Sequence, residues 1–379
     1  MSELTWVEIS SNALRNNITR LRSLVGSSTL LCACVKANAY GHGLCETGRI
    51  FIDAGADWLS VHALHEARRL RQSGLTCPIY ILGPLDTHDY PEALQLDCRF
   101  VVYNEIDLPR IARAARACGK PARLHVKIET GANRQGIGPG LLEPLCTTIA
   151  ENPDLILEGC ATHFANIEDT TDHSFAKTQL GRLQSALKML AARGIKPPIV
   201  HCANSAATII FPESHFQMVR TGIAAYGMWP SNETYVSFFK ERAGGFVLKP
   251  ALTWKSRVAQ IKNVPGGEYI GYGCSFKTGH ATRLAIIPVG YYDGFDRGIA
   301  GGHVLIRGRR APIRGRICMN LIMVEVTDIY DVRTGDEVVL LGCDGDECIS
   351  AEQIARWSNT INYEVTTRIN DRIPRIITN

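Results

Sequence analysis

No run of the sequence approaches the ~20 consecutive apolar residues that a membrane-spanning helix needs. The opening MSELTWVEIS carries acids and lacks a basic region ahead of an apolar core, so no export signal is expected. Neither sign of charge dominates. The formal net charge is +4 over 379 residues, which makes no case for nucleic-acid binding, where a clustered basic face is required. The 13 cysteines contain no CxxC pair, and no Cys/His spacing fits zinc, so no metal is expected. Scattered thiols without a leader point to a reducing cytoplasm. Cys343 and Cys348 come closest to a local clip. They flank Asp-Gly-Asp-Glu, which reads as a turn between strands because Asp-Gly suits positive φ. No low-complexity tract is present. What remains is a globular composition, 45% hydrophobic and 21% charged, with length for about two domains.

The first part of the chain alternates short apolar runs with helical patterns. The runs are LLCACVK (30–36), DWLSV (57–61), PIYIL (78–82), RFVVY (99–103), ARLHVKIE (122–129), LILEGCATHF (155–164), PIVHCAN (198–204) and HFQMVRTG (215–222). Between them lie segments such as HALHEARRLRQSG, EIDLPRIARAARACG and FAKTQLGRLQSALKMLAARG, each stopping at glycine. Eight β-then-α units predict parallel strands joined by crossover helices, the requirement of a (β/α)8 TIM barrel. A doubly wound open sheet is the alternative. After residue 245 the texture changes to short β-branched runs between glycine- and proline-rich turns, with one helix, SAEQIARWS, opened by a capping-box pattern. The expected fold is α/β: a barrel over 1–245 and a mainly antiparallel β domain over 246–379. Residues 1–10 are a candidate strand of the second domain.

A barrel carries its chemistry at the C-terminal ends of its strands. There the sequence places Lys36, Lys127, His163, Asn204, Ser205 and Arg220, with Arg134 in the loop after the fifth strand. Each alone has a plain reading: a solvated rim charge, a core histidine, a helix cap at Ser205. Their joint placement on one mouth argues otherwise. NSAAT (204–208) and RTGIAAYG (220–227) set small residues at helix starts, where free N–H groups can meet an anion. A strand-end lysine with a phosphate cradle suggests a Schiff base with pyridoxal phosphate (PLP). A phosphosugar aldolase or isomerase would place similar groups.

VKANAYGHG, THFAN, HCANSAAT, MVRTGIAAYG, GYGCSF, PVGYYDG, GRICMN and INYEV follow one another along the chain. In order and approximate spacing they resemble the motifs of the alanine racemases, PLP enzymes built on a barrel plus a β domain. The resemblance implies a homodimer whose active sites each draw residues from both subunits. It implies that Lys36 forms the internal aldimine and serves as base for the D-enantiomer. Tyr272 of the other subunit would be the base for the L-enantiomer. A tyrosine, with a free pKa of about 10, needs a cationic neighbourhood to act near neutrality, and His163 and Arg220 resemble the residues that supply it. Arg220 resembles the arginine facing the pyridine nitrogen, which a guanidinium leaves unprotonated, disfavouring a long-lived quinonoid. Tyr40, Ser205, Gly222 and Ile223 resemble phosphate ligands, and Asn204 a cofactor-binding residue. Arg134 resembles the residue that bonds the cofactor's phenolic oxygen and steers the substrate carboxylate, and Met319 a second-subunit residue whose backbone helps hold that carboxylate. Lys127 resembles a carbamylated lysine that orients Arg134.

The pattern is broken in three places. Asn320 stands where the family usually has aspartate, and the loop after the fifth strand reads TGANRQG. Asp371 falls where a phosphate-bonding tyrosine is usual. Either Asp371 turns away and pairs with Arg368 or Arg372, leaving alanine as substrate, or the pocket is larger and more polar and admits serine or a longer amino acid. Decarboxylases of basic amino acids share the architecture but carry glutamate where this chain has Arg220. A PLP carrier would need only the barrel. The resemblance further implies supply of D-amino acids, most often D-alanine for peptidoglycan.

Overall fold

The computed structural model describes residues 4–241 and 245–379. Strands are numbered β1 to β20 along the chain. The chain divides into two compact units: Asn12–Ala39 with Leu44–Pro250, and the residues up to Ser11 with Tyr40–Gly43 and Ala251–Asn379. β1 (Thr5–Ser10) belongs to the second of these.

The first unit is built on eight parallel strands: β2 (Leu30–Cys34), β3 (Trp58–Val61), β4 (Ile79–Ile81), β5 (Cys98–Val102), β6 (Ala122–Lys127), β7 (Leu155–Ala161), β8 (Ile199–His201) and β9 (Met218–Thr221). Neighbours pair in sequence from β2 to β8, and β9 pairs with β2. Gln217 N–H donates to Val200 O (3.2 Å) and Arg220 N–H to Ala203 O (2.9 Å), which joins the segments of β8 and β9. The sheet therefore closes into the (β/α)8 barrel that the alternation of elements predicts, not an open doubly wound sheet. β3, β4 and β5 are buried along their whole length, as strands covered on both faces must be. The helices Leu64–Gln72, Leu108–Cys118 and Ser174–Ala192 are followed within two residues by Gly74, Gly119 and Gly194, all at positive φ.

The second unit is β-rich. β10 (Leu252–Arg257), β15 (His303–Ile306), β16 (Arg309–Pro312), β18 (Glu337–Asp344) and β20 (Arg375–Thr378) join β1 in the order β16-β15-β18-β10-β1-β20. Only the β1–β20 pairing is parallel. β11 (Gln260–Val264), β14 (Thr282–Ile287) and β17 (Ile322–Glu325) form a smaller antiparallel sheet, and β12 (Tyr269–Ile270) pairs with β13 (Phe276–Lys277). Ser350 Oγ accepts the Gln353 N–H at 3.2 Å and caps the helix Ala351–Ser358, as the capping-box pattern predicts. β19 (Glu347–Ile349) folds back on β18. The turn expected at Asp-Gly is there, but the hairpin register sets Cys343 directly opposite Cys348 and the two are disulfide-bonded. The other eleven cysteines are free thiols. No described helix is long and apolar enough to cross a membrane.

One buried amide ties the barrel's first helix to the end of its unit. Asn17, on the helix Ser11–Val25, accepts the Lys249 N–H (2.8 Å) and donates to Lys249 O (2.9 Å) and Ala225 O (3.3 Å). Asn17→Ala removes the partner of the buried Ala225 O and of the Lys249 backbone groups. It is expected to cost about 1–3 kcal/mol, read as a lower urea midpoint with an unchanged slope.

Candidate active site

Lys36 opens a turn of unusual hand. β2 ends at Cys34, and Ala37, Asn38, Ala39 and Tyr40 follow Lys36 with φ of 54°, 52°, 53° and 53°. Left-handed backbone costs an L-residue about 1–2 kcal/mol, so four in succession need support. Asn38 supplies some: its Oδ1 accepts the Leu44 N–H at 3.0 Å. Tyr40–Gly43 then belongs to the second unit. Within that unit the Tyr40 ring lies 6.1 Å from that of Tyr363, and Arg375 Nε donates to Gly41 O at 3.0 Å. Gly41 is required there, since a Cβ would fall 2.0 Å from Thr366 O.

The strand-end cations converge. Desolvation, then the charges of Arg220 and Arg134, push the Lys127 amine down to about 8, with Lys36 adding to the effect. Lys127 Nζ donates to Gln135 Oε1 at 2.8 Å. His163 is held well below its usual range by desolvation and by the same four cations: Arg220, Arg134, Lys127 and Lys36. It is therefore a neutral imidazole near pH 7.

Arg220 is 9% exposed. Nη1 donates to His201 Nδ1 (2.5 Å), and Nη2 to Thr162 O (3.0 Å), His163 Nδ1 (3.3 Å) and Cys202 O (3.4 Å). Every one of these acceptors is neutral. Behind His201 a line of side chains runs through the barrel. His201 Nε2 is 2.7 Å from His125 Nδ1, and His125 Nε2 is 3.1 Å from Glu158 Oε2. A guanidinium can only donate and a carboxylate can only accept. Those two ends settle the tautomers between them: each imidazole carries its hydrogen on Nε2 and accepts on Nδ1. Burial holds both histidines below their usual range, so the contact of His125 with Glu158 is a hydrogen bond from a neutral ring. Burial would raise the Glu158 carboxyl, but the His125 bond and the Arg99 guanidinium at 3.3 Å outweigh it and hold it low.

Backbone irregularity places this carboxylate. The β6–β7 ladder slips between Leu124 and His125: Leu124 faces Leu157 while His125 faces Gly159, leaving Glu158 as the bulged residue. Gly159 makes room for the ring, since a Cβ there would lie 2.4 Å from His125 Nδ1. Tyr80 packs on both histidines, at 4.7 and 5.4 Å between ring centroids.

The proposed phosphate cradle is likewise assembled from two turns. Asn204, not Ser205, caps the helix Ser205–Ile210, its Oδ1 accepting the Ala207 N–H at 3.0 Å. Ser205 Oγ instead accepts the N–H of Gly222 (2.8 Å) and of Ala224 (3.3 Å), and so holds the turn that starts at Ile223. Thr221 Oγ1, buried next to Gly222 in the chain, has no partner among the described residues. The Ser205 hydroxyl hydrogen and the Ile223 N–H suit an anion, the Gly222 N–H being given to Ser205 Oγ here, and Arg220 suits a ring-nitrogen acceptor.

Tyr40, Tyr272, Met319, Asn320 and Asp371 lie in the second unit. Tyr272 is 69% exposed, in a short turn between Gly271 and Gly273, which have φ of 72° and 71°. Met319 is 54% exposed, and its carbonyl accepts the Tyr292 N–H at 2.9 Å, so what it offers a carboxylate is its N–H. Asn320 and Asp371 are exposed. Arg368 pairs with Asp296 (2.6 Å) and Glu364 (2.6 Å), and the Asp371 charge bears on Arg375.

The sequence reading did not single out His125, Glu158 or His201. The available signal was polar residues inside runs that should be wholly apolar when a strand is covered on both faces. Residues 9–230 match the family model for the alanine racemase N-terminal domain, and residues 251–377 that for the C-terminal domain. An alanine racemase of Leptospira interrogans is 39% identical over 377 residues, 98% of this chain and 95% of that protein. One of Methanococcus maripaludis is 39% identical over 99% of both chains. The crystal structure of alanine racemase from Bacillus anthracis with bound L-Ala-P superposes with a TM-score of 0.93 at 36% identity, covering 100% of this chain and 96% of that one. A histidine racemase from Leuconostoc mesenteroides gives 0.90 at 26% identity, covering 100% and 99%.

Glu158→Leu strips the acceptor from His125 and one of two carboxylates from Arg99, which keeps Asp97 at 3.1 Å. The expected cost is about 1–3 kcal/mol, measured by denaturant unfolding at pH 7. A carboxyl held low in the folded state stabilises above its unfolded pKa, and that contribution is lost as pH falls through the folded value. The gap between wild type and variant should therefore narrow below about pH 4.

Proposed function

The chain belongs to the alanine racemase family of isomerases, and on that footing we propose that it interconverts L- and D-alanine as a PLP-dependent homodimer. The observation that carries the reading is Arg220: a buried guanidinium whose acceptors are all neutral, set beside a lysine-bearing turn and an anion cradle. A decarboxylase of this architecture would carry a carboxylate in its place. PLP, when bound, supplies the electron-withdrawing system that acidifies the substrate Cα–H.

The remaining chemistry belongs to this chain's side chains. The Ser205 hydroxyl and the Ile223 amide would hold the phosphate, joined by the Gly222 amide once Ser205 Oγ releases it, with Tyr40 as a further donor and Asn204 fixing the helix start. Lys36 would hold the cofactor through its amine, and that amine would move the proton on one face of the substrate Cα. Tyr272 of the partner subunit serves the other face, because inversion needs one group on each side. His163 accepts from Arg220 at Nδ1 and is neutral, so its Nε2–H is left to stabilise a phenolate. Arg134 and the N–H of Met319 of the partner subunit orient the substrate carboxylate.

A second reading widens the substrate to serine or a longer amino acid. Two facts favour keeping it. Arg368, one of two partners that would neutralise Asp371, is engaged by Asp296 and Glu364. The histidine racemase shares the fold along the whole chain. Both readings are separated by feeding L-alanine, L-serine, L-lysine and L-arginine to the PLP-loaded protein and following optical rotation and CO2. Rotation decaying to zero without CO2 is expected, with kcat/KM highest for alanine. A larger value for any other substrate transfers the assignment to it, and CO2 release removes the racemase reading.

Lys127 is proposed to carry a carbamate that orients Arg134. Its lowered pKa supports this: Nζ attacks CO2 only as the neutral amine, and the neutral fraction rises as pH passes through about 8. Activity in CO2-depleted buffer should fall and return with bicarbonate, while Lys127→Met should be low in both. A carbamate resonance in 13C NMR on labelled bicarbonate is the direct check.

A further inference from the structure

The turn that bears Lys36 is held by a carboxylate that the scheme above does not use. Glu66 lies in the first turn of the helix Leu64–Gln72 and is 5% exposed. Its Oε2 accepts the N–H of His62 (2.8 Å) and of Ala63 (3.1 Å). That is the ordinary work of a capping-box glutamate, which satisfies donors at its own helix start. Its other oxygen leaves the helix: Oε1 accepts the N–H of Ala37 at 2.6 Å. Ala37 follows Lys36 directly and is the first of the four left-handed residues.

The topology brings the two loops within reach. β2 and β3 are neighbours, with Cys34 opposite Ser60, and Val35 N–H continues the ladder to Ser60 O at 2.8 Å. The loop that leaves β3 therefore runs beside the turn that leaves β2, and a glutamate spans the gap. Alanine has no intrinsic preference for φ near 54°, so Ala37 needs an external acceptor to stay there. Tyr226, which donates to Cys34 O at 2.7 Å, fixes the strand end one step earlier. The charge of Lys36 is felt at both Lys127 and His163, so a small rotation of the turn would carry the amine away from that cluster.

We propose that Glu66 is a positioning residue for Lys36: by clamping the Ala37 amide it holds the left-handed turn and fixes where the Lys36 amine stands. The proposal rests on the reading of Lys36 as the cofactor lysine. It explains why a carboxylate is spent on three backbone amides at a barrel mouth rich in cations.

The test compares wild type, Glu66→Gln and Glu66→Asp. Glutamine keeps the length but turns one acceptor into a donor facing N–H groups. Aspartate keeps the charge but is one methylene short of spanning both loops. Each protein is mixed with PLP, reduced with borohydride at timed intervals, and mapped for modified lysine. Wild type should be trapped at Lys36. Both variants should be trapped there more slowly, with kcat lower by on the order of 10²-fold and KM little changed. In wild type the Ala37 amide should be strongly protected from hydrogen exchange.

Trapping rates and kcat equal to wild type in both variants would overturn the proposal. So would a loss of kcat that follows lowered melting temperature alone while trapping stays as fast as in wild type. Unprotected exchange at Ala37 in wild type overturns it without any variant, which covers the case of variants that do not fold. If wild type is trapped at a different lysine, the reading of Lys36 falls and this proposal with it.

Discussion

Arg220 is a permanent cation set into the wall of a barrel, and its electrostatic demands organise the rest of the mouth. A buried charge without a counter-ion is costly, and the effective penalty is several kcal/mol. None of the groups that Arg220 contacts is an anion. At the far end of two imidazoles, His201 and His125, stands a carboxylate, Glu158, that pairs directly with Arg99 and Arg123. The arrangement keeps the guanidinium free of a direct ion pair, so its field is not cancelled where a ligand would meet it. The same field depresses Lys127, His163 and His201 after desolvation has begun the work. A mouth of this kind attracts phosphate and carboxylate while favouring neutral, nucleophilic amines. A neighbouring carboxylate on Arg220 would forfeit both.

Rigid and strained parts are divided between scaffold and loop. Eight short parallel strands are locked side by side, and the groups that would touch a ligand stand where those strands end. The turn after β2 departs from ordinary backbone for four residues running. Strain of this kind persists only where the surroundings over-determine it. Here the surroundings are identifiable: Glu66 on the Ala37 amide, Asn38 on the Leu44 amide, and, past the turn, Arg375 on the Gly41 carbonyl. The unit boundary falls between Ala39 and Tyr40. Lys36 and Tyr40, four residues apart, thus belong to different units.

Much of this was legible because it is periodic or local. Seven of the eight barrel strands lie within the apolar runs that mark them, β5 starts one residue ahead of its run at Cys98, and the three glycine stops end three helices. Groups at strand ends could be named because parallel strands place them together. What escaped has a different physical origin. Glu66 and Ala37 are 29 residues apart and meet only through the β2–β3 pairing. A glutamate at the start of a helix reads as a cap, and nothing local shows that its second oxygen reaches another loop. Glu158 owes its position to a ladder slip, which a period-two pattern does not announce. Asn204 and Ser205 are both good caps, and only three-dimensional pairing shows that Asn204 serves the helix while Ser205 bridges to Gly222. The Cys343–Cys348 bond follows from hairpin register, whereas cysteine spacing alone argued for free thiols.

Position 371 poses a question of chemistry more than of fold. Around Asp371 the backbone is tied down on both sides. Asn370 N–H donates to Asp293 O at 3.0 Å, its side chain donates to Tyr292 O at 3.0 Å, and its own Oδ1 accepts the Arg372 N–H at 3.0 Å. Arg375 then gathers the carbonyls of Ile369, Asn370 and Ile373. A segment held this firmly keeps its path whichever side chain position 371 carries. Exchanging a tyrosine for the exposed aspartate therefore alters what that position presents: it is shorter, it cannot donate a hydroxyl hydrogen, and it repels a phosphate dianion. The Asp371 charge bears on Arg375, the residue that organises the segment. An anion at this position is therefore accommodated by the local fold.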